Sequence, residues 1–260
     1  MSDVHCAIFG AGPHLVGIPS AQVQEMFVLP TIHRGPETRP PFRGVTRLRE
    51  MALAALDLRA CLGIPSAESE LQEMVSLLDA REQDHRAWLD ELEASVKEGR
   101  EFTLATDPTR CKFGKWLKAY QSESGVVRTE LSRAFAPHAQ VHAAAAEVLS
   151  LAATGDLDGA MRRIQAARHA ALAAVVRVFT SIREALLREH REIGVAVTAR
   201  GKRFVLVVDT AEAVTSLEPL PADRSPIHSG VLDLPGVVAM AFWRGSAAPV
   251  LLMDVEKVAA

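Results

Sequence analysis

Four side chains in the middle of this 260-residue chain could do chemistry together: His85, Cys111, His138 and His142. His138 and His142 stand four residues apart, so on a helix they share one face about one turn apart and can hold the same ion. His85 falls in phase with Leu71, Leu78 and Leu92, and its ring is expected to point into a bundle rather than into water. Cys111 is expected to open a short helix, where the N-terminal dipole favours a thiolate. Three imidazoles and one thiolate form a complete tetrahedral zinc set. Each residue also has an ordinary reading. A histidine on an apolar face is usually a hydrogen-bonded core residue, and a single cysteine is usually a small buried hydrophobe. Taken one at a time, none of the four carries a metal site.

The elements that must position them are legible from periodicity. A helix is expected from Ser66 or Ser69 to about Lys97, with Met74, Val75, Trp88 and Leu89 filling the face that His85 occupies. Asp107-Pro108 breaks the pattern, because the residue before proline is pushed out of the α region. A short helix follows from about Cys111 to Gln121. A longer one runs from Val127 to Ala152, kinked at Pro137 or started afresh just before His138. The last helix is expected over Leu157 to about His190, a span of roughly 50 Å at 1.5 Å per residue.

Both ends of the chain speak a different language. His5 to Phe9, Leu15 to Ile18 and Met51 to Leu58 read as strands, as do Val195 to Val197, Phe204 to Val208, Val237 to Trp243 and Pro249 to Met253. The turn at Arg200-Gly201-Lys202 between two apolar runs is a hairpin signal. A helical bundle whose ends lie close together can be inserted into another domain. The expected organisation is therefore α+β: a β domain of residues 1–65 and 192–260, interrupted by a helical insert at 66–191.

The neighbours of the four residues sharpen the metal reading. Cys111-Lys112-Phe113-Gly114-Lys115-Trp116 has the form C-x-F-G-x-W, His85-Arg86-Ala87-Trp88 has the form H-x-x-W, and His138 to His142 has the form H-x-x-x-H. In order and spacing these resemble the chemoreceptor zinc-binding (CZB) domain family over about Glu68 to His190. The resemblance implies that His85, Cys111, His138 and His142 bind Zn2+ and that Trp88, Phe113 and Trp116 pack around the site. It also implies zinc- or oxidant-dependent signalling, and it makes a homodimer through the helical insert plausible. Hydrolysis is not expected: four protein ligands leave no position for water, and Ala139 stands where H-E-x-x-H needs its glutamate. Oxidation of Cys111 or protonation of the histidines would loosen the metal, so zinc, oxidant and pH are all candidate stimuli.

The β ends carry a second resemblance. Gly44-Val45-Thr46-Arg47-Leu48-Arg49-Glu50, then Asp57-Leu58-Arg59-Ala60-Cys61-Leu62-Gly63, are similar to the G-V-x-N-L-R-G and D-L-R-x-x-L-G motifs of the CheW-like chemotaxis coupling family. Val23-Gln24-Glu25-Met26, Phe204 to Asp209, Ala213-Val214 and Ile227 to Val231 also resemble its strands and turns. Arg47, Glu50 and Ala54 depart from the family's Asn, Gly and frequent Pro. The family implies two small β-barrels, no active site, and docking to a histidine kinase and chemoreceptors, with Arg49 at the receptor-binding surface. Asp57 and Arg59, read by themselves, are expected to form an ion pair at a strand end on the surface, worth ~0–1 kcal/mol.

Composition excludes much else. Basic residues number 29 against 32 acidic, so no concentrated positive face for nucleic acid is expected. No apolar run is long enough to insert in a membrane, MSDVHC lacks the look of a signal peptide, and three scattered cysteines fit a reducing cytoplasm. Ile8 to Gly12 could open a dinucleotide fingerprint, but Pro13 and the β-like run after it deny the helix a pyrophosphate needs. Cys6, Cys61, His5, His14 and His33 lack a ligand spacing. His190 is expected to offset a helix dipole and His169 to be solvated. The expected function is a non-enzymatic cytoplasmic coupling protein with a His3Cys zinc site that modulates docking. The alternative is a zinc-binding or zinc-buffering protein without kinase coupling, favoured by Arg47 and Glu50; a metalloenzyme survives only if one ligand is labile.

Overall fold

A computed structural model describes residues 3–36, 38–122, 124–227 and 234–258. The chain divides into two compact units, Met1–Glu70 with His190–Ala260, and Leu71–Glu189. The turn expected at Ile227 to Val231 lies, from His228 onward, outside the described residues.

The first unit is built of two five-stranded mixed sheets. One has the order β8-β1-β2-β10-β9 and comprises β1 (Val4–Ala11), β2 (His14–Pro19), β8 (Thr210–Leu217), β9 (Val237–Phe242) and β10 (Pro249–Met253). The other has the order β3-β6-β7-β5-β4 and comprises β3 (Val23–Val28), β4 (Phe42–Leu48), β5 (Met51–Asp57), β6 (Ile193–Ala199) and β7 (Lys202–Val208). Each sheet takes strands from both ends of the chain. Each is also closed through one parallel pair, β10 on β2 and β5 on β7. Neither sheet can form from the N-terminal or the C-terminal segment alone.

The strands read most easily are those buried on both faces. Gly194 to Val197 and Phe204 to Val208 are buried without a break, so their sequence is a continuous apolar run. Edge strand β3 alternates between half-buried and exposed and leaves a weaker signal. Gly12-Pro13 is the two-residue hairpin turn between β1 and β2, with Ala11 opposite His14. Gly12 has φ +56°, and a Cβ there would meet the end of the Ile64 side chain at 2.8 Å, so glycine is the favoured residue. The shared core brings Phe9, Val16 and Ile18 together with Val195, Leu206 and Met253.

The expected surface ion pair of Asp57 and Arg59 is corrected. Both residues are buried, at 3% and 9% exposure, and neither pairs with the other. Asp57 caps the short helix α1 (Leu58–Cys61) by accepting the Ala60 N–H. Arg59 reaches Asp209 at 2.8 Å and Glu70 at 2.7 Å, while Asp209 also accepts the Gly12 N–H. Arg43 bridges Glu192 (2.5 Å), Glu68 (3.2 Å) and Asp57 (3.7 Å). Burial by itself would lower both guanidinium groups, but the surrounding carboxylates outweigh it and hold them above their ordinary value. Burial also raises the Asp57 carboxyl, against the pull of the Ala60 amide and Arg43.

The second unit is helical: α2 (Ala67–Glu98, its first turn in the β unit), α3 (Lys112–Ala119), α4 (Gly125–Arg133), α5 (Phe135–Ala153), α6 (Leu157–Ala166) and α7 (Ala173–Glu189). The expected Val127-to-Ala152 helix is two, broken at Ala134, and Pro137 sits in the first turn of α5, where its missing N–H costs nothing. The expected single last helix is interrupted by a π-helical turn, Ala167–Leu172. Arg168 of that turn pairs with Asp90 and Glu93 of α2, and Arg183 of α7 pairs with Asp79. His169 is exposed, as its position beside the apolar stripe implied. The core is aliphatic around three large rings, those of Trp88, Phe113 and Phe179, with Leu89, Leu92, Val141 and Ile164 all essentially closed to solvent. A last short helix, α8 (Val255–Val258), follows β10 in the β unit.

Candidate metal centre

Two helices and the start of a third converge on one point. His85 comes from the middle of α2, His138 and His142 from successive turns of α5, and Cys111 is the residue that caps α3. One ligand atom from each of the four lies within 4.8 Å of all the others, and the three imidazoles are at most 3% exposed. Bond lengths of ~2.0–2.3 Å place neighbouring ligands of a zinc tetrahedron roughly 3.5 Å apart, so little movement would close the set around an ion. Cys111 Sγ is already 3.2 Å from His138 Nε2.

Backbone carbonyls orient two of the rings. His85 Nδ1 donates to Arg81 O at 2.6 Å, and His142 Nδ1 donates to Ala105 O at 3.2 Å. A ring protonated at Nδ1 presents a lone pair at Nε2, and the Nε2 atoms of His85 and His142 are buried without a hydrogen-bond partner. Buried polar atoms are normally satisfied. Two orphaned lone pairs aimed into a histidine-cysteine cluster are what a cation would satisfy, and the donor set fits zinc.

Electrostatics keep the rings in the ligating form. Burial, with mutual repulsion, pushes His138 down to about 3 and His142 down to about 4, and burial lowers His85 too. All three are neutral at neutral pH, as metal ligands must be. Cys111 departs from expectation. Burial raises its thiol, although the Gly114 and Phe113 amides at the start of α3 pull it down. An eight-residue helix does not outweigh desolvation alone; a bound cation would supply the missing charge. Gly114 is required where it stands, because a Cβ there would meet the Pro108 carbonyl oxygen at 1.9 Å and push Cys111 out of place.

The aromatic residues form two layers. Phe113 sits edge-on to His138 at 5.0 Å and to His85 at 5.9 Å, and Trp88 lies 4.8 Å from His142. Trp116 is one layer further out, stacked on Phe113 at 5.8 Å and on Tyr120 at 4.8 Å. A cavity of about 550 Å3, lined in part by Trp88, Leu104, Ala105, Arg110 and Cys111, opens beside the cluster. The Ala105 carbonyl was not legible in the sequence, since a backbone group in a coil carries no residue-type signal.

Arg49 lies in the β unit, in the two-residue turn between β4 and β5. Its backbone is left-handed, at φ 54°, and its exposed side chain pairs with Glu25 at 2.8 Å. Two of the three residues that depart from the coupling family pair with each other, Arg47 to Glu50 at 2.8 Å.

Residues 85–149 match the chemoreceptor zinc-binding domain family, and residues 5–93 match the CheW-like domain family. The strands from β6 onward lie beyond both matches, yet they complete both sheets. The solved structure of scaffolding protein TtCheW from Thermoanaerobacter tengcongensis is similar over 97% of this chain and 90% of its own. At 12% identity and a TM-score of 0.41 that likeness adds nothing further. A search of curated proteins found no match. No helix among the described residues is long and apolar enough to cross a membrane. The two family matches together support a chemotaxis scaffold role. The chain thus carries a CheW-like domain interrupted by a chemoreceptor zinc-binding domain.

Proposed function

We propose that this protein is a non-enzymatic chemotaxis coupling protein, joining chemoreceptors to a histidine kinase through its CheW-like domain, with a zinc site in the insert that modulates docking. In this reading the coupling domain is residues 1–65 and 192–260 and the insert is residues 66–191. The zinc ligands are His85, Cys111, His138 and His142, and Arg49 contacts a partner. The protein acts in the cytoplasm, and its helical insert can pair with a second copy.

The observation that carries the metal reading is the pair of buried, unpartnered Nε2 atoms on His85 and His142, next to the Cys111–His138 contact. When bound, zinc supplies a charge that holds α2, α3 and α5 to one another. The chain's own residues do the rest: Arg81 O and Ala105 O fix two imidazoles, burial keeps all three neutral, and the α3 amides favour the thiolate. Loss of the Cys111 thiolate by oxidation, protonation of the imidazoles, or a fall in free zinc would each release the helices.

Zinc analysis of wild type against Cys111→Ser and His142→Ala tests the ligand set; one zinc per chain in all three proteins would refute it. Capture of the kinase and of receptor signalling tips, with and without chelator, tests coupling. Binding that zinc removal does not change would sink the regulatory part, and no binding to either would sink the coupling part. The second reading, a zinc-buffering protein without coupling, is favoured by the internal pairing of Arg47 with Glu50 and of Arg49 with Glu25. It predicts zinc exchange at physiological free metal and no capture of signalling partners.

A further inference from the structure

The coil between α2 and α3 contributes no metal ligand until Cys111, yet one of its carbonyls is shared by two buried rings. Ala105 O accepts the indole N–H of Trp88 at 3.0 Å and the Nδ1–H of His142 at 3.2 Å. Trp88 also holds Phe102, from the same coil, edge-on at 5.2 Å, and its own ring lies 4.8 Å from that of His142. Trp88 is 6% exposed and stands one turn beyond His85 on α2. It therefore grips the coil at two points, Phe102 and Ala105, and the second of these points is the group that orients His142.

We propose that Trp88 is a positioning residue for His142: its N–H anchors the Ala105 carbonyl, and that carbonyl keeps the His142 proton on Nδ1 and its lone pair on Nε2, aimed at the cluster. The inference rests on the metal-centre reading. A carbonyl in a coil has no helix or sheet to hold it, so without the indole it is free to turn to water. His142 would then lose the bond that selects its tautomer and ring angle. Partners of this kind, bonded to the non-ligating nitrogen, change metal affinity by about 10–100-fold when removed. The same arrangement makes the coil part of the site, since releasing Ala105 also releases the wall of the cavity beside Cys111.

Trp88→Phe keeps an aromatic ring and removes the N–H. In the full-length protein, zinc affinity by chelator competition is expected to fall about 10–100-fold. The 15N shifts of the His142 ring in the metal-free variant should move from the Nδ1-protonated form toward a tautomer mixture, while those of the His85 ring stay put. A change in packing alone would not select one ring. Wild-type affinity together with an unchanged His142 tautomer overturns the proposal. A wild-type protein that takes up no zinc overturns the metal-centre reading and this inference with it, so the two failures are distinct. Where Trp88→Phe fails to fold, the wild type supplies the test. The Trp88 indole proton and the His142 Nδ1 proton should both be slow to exchange in the zinc-loaded protein, and free exchange of the indole proton overturns the assignment.

Discussion

The two units bury polar groups in opposite ways. In the β unit, Asp57, Arg43 and Arg59 are almost closed to solvent, and each finds its counter-charge within the unit: Asp57 beside Arg43, Arg43 on Glu192, Arg59 on Asp209 and Glu70. In the helical unit, three buried histidines cluster with a half-buried cysteine, and two imidazole nitrogens have no partner. A buried polar group left unsatisfied costs ~1–3 kcal/mol, and several in one place mark a site completed from outside. The buried charges of the β unit answer one another, whereas the unpartnered imidazole nitrogens of the helical unit face a histidine-cysteine cluster that a cation would complete.

The comparison breaks most visibly on metal removal. Structural zinc contributes ~10–16 kcal/mol in small zinc domains, so chelation is expected to strip hydrogen-exchange protection from α2, α3 and α5 while β6 and β7 keep theirs. Equal loss in both units, or none in either, would contradict the division. The next effect is on the other side. Arg43→Met leaves the buried Asp57 and the half-buried Glu192 without their cation; a fully buried pair broken this way costs ~3–5 kcal/mol, so a loss at or below the lower end of that range is expected. Urea unfolding followed by a probe in the β unit should show that loss with zinc present or absent.

Acid should separate the units as well. In the metal-free protein, His138 and His142 titrate at about 3 and about 4, against 6.5 for an ordinary imidazole. Between these values the unfolded chain binds the proton and the folded unit does not. Stability is therefore full above about pH 6.5 and falls as pH drops toward 4, by roughly 2 kcal/mol per imidazole at pH 5. A thermal midpoint of the helical unit that is flat from pH 7 to 5 would refute this. The smallest effect sharpens the contrast between buried and surface pairs. Arg47 and Glu50 are mostly solvent-exposed, so Arg47→Ala should alter stability by ~0.5 kcal/mol or less, within the scatter of a melting curve.

Legibility followed burial and sequence distance. The helices that position the site were readable because their apolar residues recur at helical spacing, and β6 and β7 because strands buried on both faces are unbroken apolar runs. Edge strands β3 and β8 were seen only through resemblance, because alternation with exposed residues blurs their signal. Asp57 and Arg59 read as surface neighbours in the sequence because the decisive partner, Asp209, lies 150 residues from Arg59. The π-helical turn leaves no mark in the sequence because one extra residue per turn keeps the apolar stripe nearly intact over so short a span.

The sequence by itself determined the chemistry available at the metal centre, since imidazole and thiolate are set by residue type and helical spacing puts His138 and His142 on one face. It also determined that a helical segment separates two β-rich ends. Only the tertiary structure decided that each sheet draws strands from both ends, and that the buried arginines are answered by distant carboxylates. It alone decided which nitrogen of His85 and of His142 faces inward, because a shared backbone carbonyl or a long-range ion pair exists only once remote segments are packed together.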